Sequence, residues 1–329
     1  MSDDGIVPVL IELLNYKSNA DEQDMFYILL GILLDLQPLI FDECIKLGLH
    51  EKLCTICEKT TFSWPLASLI NVCYPNQELL YCVKRYIFSL EECPSFNDDE
   101  MLEGISHTLV YLCEFEKPIQ KMVIDSGILK KLVPFIDAVK RKRFSKAILF
   151  TFQYISENEE FGNSLFETGI LKFVEKLLMS SEACADNEII EPIATLIYNL
   201  GSNPENIEKI IEANLIYYVI DFAEWSSVKE DFVMVLINLL TNCNSKQAKK
   251  IIKMNALSTL FNCLQKVEDL NIKEDILETF FNVLQKSENV KNVFDEMEEY
   301  GIFDKIKTLK NHENQKIREA AAKIAEKFL

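Results

Sequence analysis

The stretch DSGILKKLVPFI, residues 125–136, joins a glycine to an apolar run with the period of an α-helix. The same phrase returns along the chain: a helix end, a Gly or Asn, and a new apolar run. Its seven anchors are Gly5, Gly48, Gly127, Gly169, Asn214, Asn255 and Gly301. They are spaced by 43, 79, 42, 45, 41 and 46 residues, and the 79 spans two periods with one degenerate anchor near Tyr86. The sequence therefore predicts about eight repeats.

The anchors share a conformational property. Gly has no Cβ, and Asn is its best substitute where a sharp turn between helices needs a positive φ. The positions one and five residues after each anchor are apolar, and a separation of four places them on one helical face. A unit of this length is typical of armadillo and HEAT repeats. We therefore predict an all-α, armadillo/HEAT-like, right-handed superhelical solenoid that fills residues 1–329 as a single domain.

Composition excludes several classes of function. The formal net charge is −18, which disfavours nucleic acid and anionic membrane surfaces as partners and favours basic ones. The sequence contains no stretch of about 18 apolar residues, so we predict no membrane span. Ten cysteines lie mostly inside apolar runs and predict a reducing compartment, the cytoplasm or nucleus.

Catalytic and metal-binding motifs are weak. The sequence CTIC, Cys54–Cys57, has C-x-x-C spacing, but no second ligand pair follows that would complete a zinc site. Three histidines and the lack of a Gly-rich phosphate loop argue against an enzyme. We expect no catalytic activity, no metal and no cofactor.

Two segments carry a family resemblance. NLGSNPENIEKIIEANLIYYV, residues 199–219, resembles a third helix, a turn, a first helix and the start of a second helix in importin-α, the armadillo adaptor of nuclear import. GIFDKIKTLKNHENQKIREAAAKIAEKF, residues 301–328, resembles the closing repeat of that family. The resemblance implies an adaptor of the cytoplasm and nucleus that binds basic nuclear-localisation-type peptides in an acidic concave groove. It also implies contact of the C-terminal repeats with the recycling exportin.

The resemblance further implies a peptide-clamping Asn on the third helix of most units, 15–19 residues before the next anchor. Asn71, Asn199, Asn238 and Asn282 occupy this register here, whereas Leu33, Tyr111 and Tyr154 replace Asn in three units. An Asn amide can clamp the backbone of an extended peptide, or it can form hydrogen bonds within the solenoid. Both alternatives remain open for these residues.

The family's groove also carries a Trp four residues before each Asn, and here that position never holds Trp. It is occupied by Leu29, Ala67, His107, Phe150, Thr195, Met234 and Glu278. Tyr111, Tyr154 and Phe150 either replace the Trp surfaces or belong to the core. Glu114 and Glu157 either pair with a basic ligand or end their helices in solvent. A basic run, VKRKRF at 139–144, is predicted to be a solvated loop.

A second departure concerns the basic arm that precedes the repeats in importin-α and binds importin-β. The first repeat begins at Gly5, so either the arm lies outside the given sequence or the protein lacks it. The alternative function is an armadillo scaffold for a non-transport partner in assembly, the cytoskeleton or signalling. The missing Trp ladder favours that alternative.

Overall fold

The computed structural model of the chain describes residues 6–13, 30, 44, 46–49, 52, 99–114, 117–225, 229–286 and 290–329. The chain divides into two compact units, Met1–Gly169 (unit 1) and Ile170–Leu329 (unit 2). Every regular element in the described ranges is a helix, which confirms the all-α expectation. The single domain, the handedness and the count of eight repeats stay predictions.

Unit 1 begins with a short helix and continues, after a gap in the described residues, with a helical repeat. Its elements are α1 (Ile6–Leu13), α2 (Asp99–Glu114), α3 (Lys117–Asp125), α4 (Ile128–Leu132), a 3-10 turn (Val133–Phe135), α5 (Lys142–Ser156), a second 3-10 turn (Glu159–Phe161) and α6 (Gly162–Glu167). The long helices α2 and α5 pack against each other, and α3 packs against α2 and α4.

Unit 2 repeats an order of first, second and third helices. Its elements are α7 (Ile170–Leu178), α8 (Ser181–Cys184), α9 (Asn187–Gly201), α10 (Pro204–Glu212), α11 (Leu215–Trp225), α12 (Lys229–Asn242), α13 (Ser245–Ile252), α14 (Ala256–Lys266), α15 (Leu270–Lys286), α16 (Val290–Glu299), α17 (Ile302–Leu309) and α18 (Gln315–Phe328). The third helices α9, α12, α15 and α18 pack in series, as do the second helices α7, α11 and α14. None of the helices in the described ranges has the length and apolar character needed to span a membrane.

The repeat anchors are left-handed hinges. The φ angles are 85° at Gly48, 73° at Gly127, 82° at Gly169, 57° at Asn214, 70° at Asn255 and 74° at Gly301, and no other described residue has a positive φ. At the last five of these anchors the backbone N–H donates to the carbonyl three residues earlier, over 2.9–3.0 Å. The structure thus confirms the predicted hinge at six anchors, and Gly5 lies outside the described residues.

The predicted buried face is also confirmed. The residues one position after the described anchors are fully buried, as are the residues five positions after the last five anchors. They are Leu49, Ile128, Ile170, Leu215, Ala256 and Ile302, and then Leu132, Val174, Val219, Leu260 and Ile306. Of the described cysteines, four are buried and Cys184 is half-buried. Burial raises the pKa of the Cys243 thiol to about 11, so it behaves as a small apolar side chain.

The basic run at 139–144 differs in part from the predicted solvated loop. Val139 lies in an exposed turn, but α5 begins at Lys142 and Phe144 is buried. Arg141 Nε lies 2.6 Å from Asp99 Oδ1 at the start of α2, and Arg143 lies 3.8 Å from Glu103. The error arose because the charged residues hid a helix start whose charges are paired across two helices.

Replacing Gly301 with Ala should destabilise the protein by about 1 kcal/mol, because the left-handed conformation costs an L-residue roughly 1–2 kcal/mol. No atom lies within 4 Å of a Cβ built at Gly301, so the cost comes from the backbone alone. Gly301→Asn should cost less, since Asn tolerates this region. Urea unfolding of the three proteins measures the effect, and equal stability of the Ala and Asn variants would contradict it.

Gly201→Ala should also destabilise the protein, for a steric reason. A Cβ on Gly201 would lie 2.7 Å from Cδ2 of the fully buried Leu239, where α12 approaches α9. Overpacking costs about 1–3 kcal/mol and outweighs a gain of about 1 kcal/mol in helix propensity. In a double-mutant cycle with Leu239→Ala, the two effects should couple by at least about 0.5 kcal/mol. Simple additivity in urea unfolding would refute the contact.

Candidate peptide-binding face

Three of the predicted asparagines lie on successive third helices of unit 2. Asn199 is on α9, Asn238 on α12 and Asn282 on α15, and each is half-buried. Because these helices pack in series, the structure brings the three residues into one row. Asn71 and Leu33 lie outside the described residues.

Asn238 is engaged by neighbouring residues of the solenoid. Its Nδ2 donates to the carbonyl of Tyr198 at 2.7 Å and to Oγ of Ser202 at 3.1 Å, both at the end of α9. Asn242 Nδ2 in turn donates to the Asn238 carbonyl at 3.0 Å and to its Oδ1 at 2.6 Å. Of the two alternatives for this register, the geometry at Asn238 matches hydrogen bonding within the solenoid.

Asn282 differs from Asn238. Its side chain forms no hydrogen bond with any residue in the described part of the chain. The backbone carbonyl of Asn199, on α9, accepts the N–H of Ser202 at 3.2 Å and so belongs to the helix end. The same register therefore holds side chains in different bonding states.

The positions that would carry Trp present small, flexible or charged side chains in unit 2. Thr195 and Met234 are half-buried, and Glu278 is exposed. Thr195 Oγ1 donates back to the Glu191 carbonyl at 3.2 Å, a bond within its own helix. These residues supply no flat aromatic surface against which the stem of a basic side chain could pack.

An acidic row lies one further turn away, and the sequence-based reading missed it. Glu191, Glu230 and Glu274 each stand eight residues before the Asn of their helix. A separation of eight is two steps of i, i+4, so each Glu shares a face with its Asn. The signal was visible as Glu-x7-Asn in three consecutive third helices. We name Glu191, Glu230 and Glu274 the acidic ladder.

Two rungs of the acidic ladder carry uncompensated charge. Glu191 and Glu230 are exposed and form no ion pair with any described residue. Glu274 is paired with Lys316 of α18, whose Nζ lies 3.1 Å from its Oε2. The first two rungs are therefore open to a cation from outside the chain.

The carboxylates beside the ladder have perturbed acidities. Burial raises the pKa of Asp231, which follows Glu230 directly. The pKa of Asp275 is raised by burial first, and then by the negative charges of Glu274 and Glu278. A cation placed here would oppose these shifts because it favours the ionised forms. Neighbouring carboxylates thus contribute to the raised pKa at Asp275 on α15, whereas the shift at Asp231 on α12 comes from burial.

Unit 1 brings together three of the predicted site residues. The pKa of Tyr154 is raised by burial, and further by the charges of Glu114 and Glu157. Glu114 is the last residue of α2, and Glu157 caps the end of α5. Both are exposed, and Tyr111, on α2, is 37% exposed. We call Glu114, Tyr154 and Glu157 the unit 1 cluster.

A buried glutamine aligns the two helix ends that carry the unit 1 cluster. Gln120 is 3% exposed, and its Nε2 donates to the Cys113 carbonyl at 2.8 Å and to the Tyr154 carbonyl at 3.2 Å. Its Oε1 accepts a hydrogen bond from Asn158. Phe150, one turn before Tyr154, is half-buried with Lys146 Nζ 6.0 Å from its ring centroid.

No group of His, Cys, Asp and Glu side chains within the described ranges could hold a metal ion. Cys54 and Cys57, the cysteines of the C-x-x-C motif, lie outside those ranges. Within unit 2, the carboxylates of the acidic ladder stand on three separate helices, α9, α12 and α15.

Comparison with known proteins identifies the fold. No family model and no curated protein matches the sequence. A designed armadillo repeat protein in complex with the peptide (KR)4 is 22% identical, with a TM-score of 0.61 over 73% of this chain and 97% of that one. Computationally designed armadillo repeat proteins for modular peptide recognition give 23% identity and a TM-score of 0.63, with 73% and 97% covered. An engineered protein gives 17% and 0.75 over 98% and 78%. The chain has the armadillo-repeat fold.

Proposed function

We propose that the chain is a protein-binding scaffold whose third-helix faces bind segments rich in Lys and Arg. The observation that carries the proposal is the acidic ladder, which repeats one carboxylate at one register on three adjacent helices of unit 2. Two of its rungs have no cationic partner among the described residues. A net charge of −18 adds a long-range attraction for basic partners.

The repeat of the carboxylates, rather than their number, favours an elongated ligand. Each exposed ion pair contributes only a few tenths to about 1 kcal/mol, so useful affinity needs several pairs formed together. A segment with regularly placed basic side chains meets this requirement because the first pair raises the effective concentration of the next. Salt should weaken such binding strongly, because the attraction between exposed charges more than about 10 Å apart is largely screened at 0.1 M salt.

The unit 1 cluster supports the same ligand class by a second route. Glu114 and Glu157 lie at helix C-termini, where the helix dipole is already negative. Placing a carboxylate there costs stability in the free protein, and a bound Lys or Arg would relieve that cost. Tyr111 and Tyr154 add aromatic surface for the aliphatic stem of the basic side chain.

The finer form of this proposal is an importin-α-like adaptor that acts in the cytoplasm and nucleus. The resemblance of residues 199–219 and 301–328 to that family supports it. The fold is compatible with such a ligand, since one designed armadillo protein of similar structure is in complex with the peptide (KR)4. Contact of the closing repeats with a recycling exportin, and the lack of catalysis, belong to the same proposal.

A scaffold for a non-transport partner is the second candidate. It is favoured by Thr195, Met234 and Glu278, which stand where the family places its Trp residues. Without aromatic walls, a basic side chain gains charge pairing but little packing. Such a face is suited to a partner that presents basic groups on a folded surface as well as to an extended signal.

Removing the two open rungs should weaken binding of a basic peptide. We expect Glu191→Gln combined with Glu230→Gln to raise the Kd of fluorescein-labelled (KR)4 by roughly five- to thirtyfold at low salt, because two exposed charge pairs are lost. Fluorescence anisotropy in about 20 mM salt measures the change. The same titration in about 300 mM salt should show a smaller difference between variant and parent.

The matched control is the double variant Glu212→Gln, Glu298→Gln, which removes the same charge from exposed residues of the first helices α10 and α16. Its Kd should stay within about twofold of the parent. If both double variants lost the same affinity for (KR)4, the effect would come from net charge and not from the acidic ladder. No binding of (KR)4 by the parent protein at low salt would sink the proposal itself.

The Tyr154 phenol offers a direct probe of the unit 1 cluster. Its pKa lies above the ordinary value because burial and the charges of Glu114 and Glu157 disfavour the phenolate. Glu114→Gln together with Glu157→Gln should lower this pKa towards the ordinary value without reaching it, since burial remains. A saturating basic peptide should also lower it. Carbon-13 NMR titration of labelled Tyr gives the pKa, and an unchanged value in the peptide complex would place the ligand elsewhere.

A further inference from the structure

We infer that Asn238 is a capping residue for helix α9 and that unit 2 recognises a partner at this step by charge, without clamping its backbone. The inference rests on the proposed function for its ligand, but its structural half stands on hydrogen bonds alone. It assigns to Asn238 a different task from Asn282, although both occupy the same register of their helices.

The end of α9 leaves a carbonyl that needs a donor. The last four carbonyls of a helix have no partner within it. Tyr198 is such a residue, because the N–H of Ser202 bonds to the Asn199 carbonyl at 3.2 Å instead. The Tyr198 carbonyl accepts Asn238 Nδ2 at 2.7 Å and Ser202 Oγ at 3.2 Å. The shorter of these two bonds comes from the next repeat.

Capping uses both donors of the Asn238 amide. An Asn side chain has two N–H groups, and here one donates to Tyr198 and the other to Ser202 Oγ. Its oxygen already accepts Asn242 Nδ2 at 2.6 Å. A clamp on an extended peptide needs one amide N–H and the amide oxygen together. Asn238 could offer them only by breaking the bonds that join α12 to α9.

The next step of the array joins its two third helices through another residue. Lys286 Nζ donates to the carbonyl of Thr241, at the end of α12. Thr241 corresponds in register to Ser202, so the carbonyl that Lys286 meets lies one turn beyond the counterpart of the Tyr198 carbonyl, still at the end of its helix. With Lys286 in this role, the Asn282 amide forms no hydrogen bond to a described residue. Asn282 is thus the better placed of the two to meet a ligand.

The experiment compares Asn238→Ala with its matched control, Asn282→Ala. Asn238→Ala should lower the Tm by about 2–4 °C, because a helix-end carbonyl loses a donor and three hydrogen bonds disappear. It should leave the Kd for labelled (KR)4 within about twofold. Asn282→Ala should keep the Tm within about 1 °C and raise the Kd about three- to tenfold.

The opposite pattern would overturn the inference: a tenfold or larger loss of affinity in Asn238→Ala with an unchanged Tm. If Asn238→Ala does not fold, Ser202→Ala replaces it, with a lowered Tm and unchanged affinity as the expected result. In the parent protein, the Asn238 side-chain amide signals should not shift when (KR)4 is added, and a large shift would contradict the proposal. Should the parent bind no (KR)4, the proposed function fails, while the Tm comparison still decides the capping role.

Discussion

Everything in this fold depends on a turn that ordinary residues resist. First and second helices meet at a residue with a positive φ, and an L-residue with a Cβ pays roughly 1–2 kcal/mol for that conformation. Gly127, Gly169 and Gly301 avoid the cost, while Asn214 and Asn255 tolerate it. The hinge directs the next helix back along the stack, and the apolar residues one and five positions later are buried as a result. Helix packing and the row of third helices follow from it.

The sequence predicted the backbone better than the binding face, and the reason is physical. A left-handed hinge admits almost only Gly and Asn, so each hinge can be recognised in a single sequence by its residue type. Burial of one helical face is recognisable as well, because it requires an apolar residue every three to four positions. A polar residue on a third helix has no such restriction, since it can meet solvent, a ligand or a neighbouring helix. Asn238 and Asn282 look identical in sequence, and only the positions of Tyr198, Ser202 and Lys286 distinguish them.

The acidic ladder was within reach of the sequence once the helix bounds were known. Glu191, Glu230 and Glu274 recur at a fixed distance from an Asn that had already been identified. The family resemblance drew attention to the missing Trp four residues away rather than to the acid eight residues away. The pairing of Arg141 with Asp99 could not be foreseen, because 42 residues separate them and their proximity depends on how α2 packs on α5.

The connections between third helices bear on how such a chain can be rearranged. Asn238 of α12 donates to a carbonyl at the end of α9, and Lys286 of α15 donates to one at the end of α12. These two third helices therefore bind their preceding helices through different side chains. Deleting a repeat, or exchanging two repeats, would place a donor side chain opposite a helix end that lacks its acceptor. The hinges and the buried apolar positions would still keep their spacing. The order of the repeats is therefore constrained by the hydrogen bonds between successive third helices, although the repeats share one length and one apolar pattern.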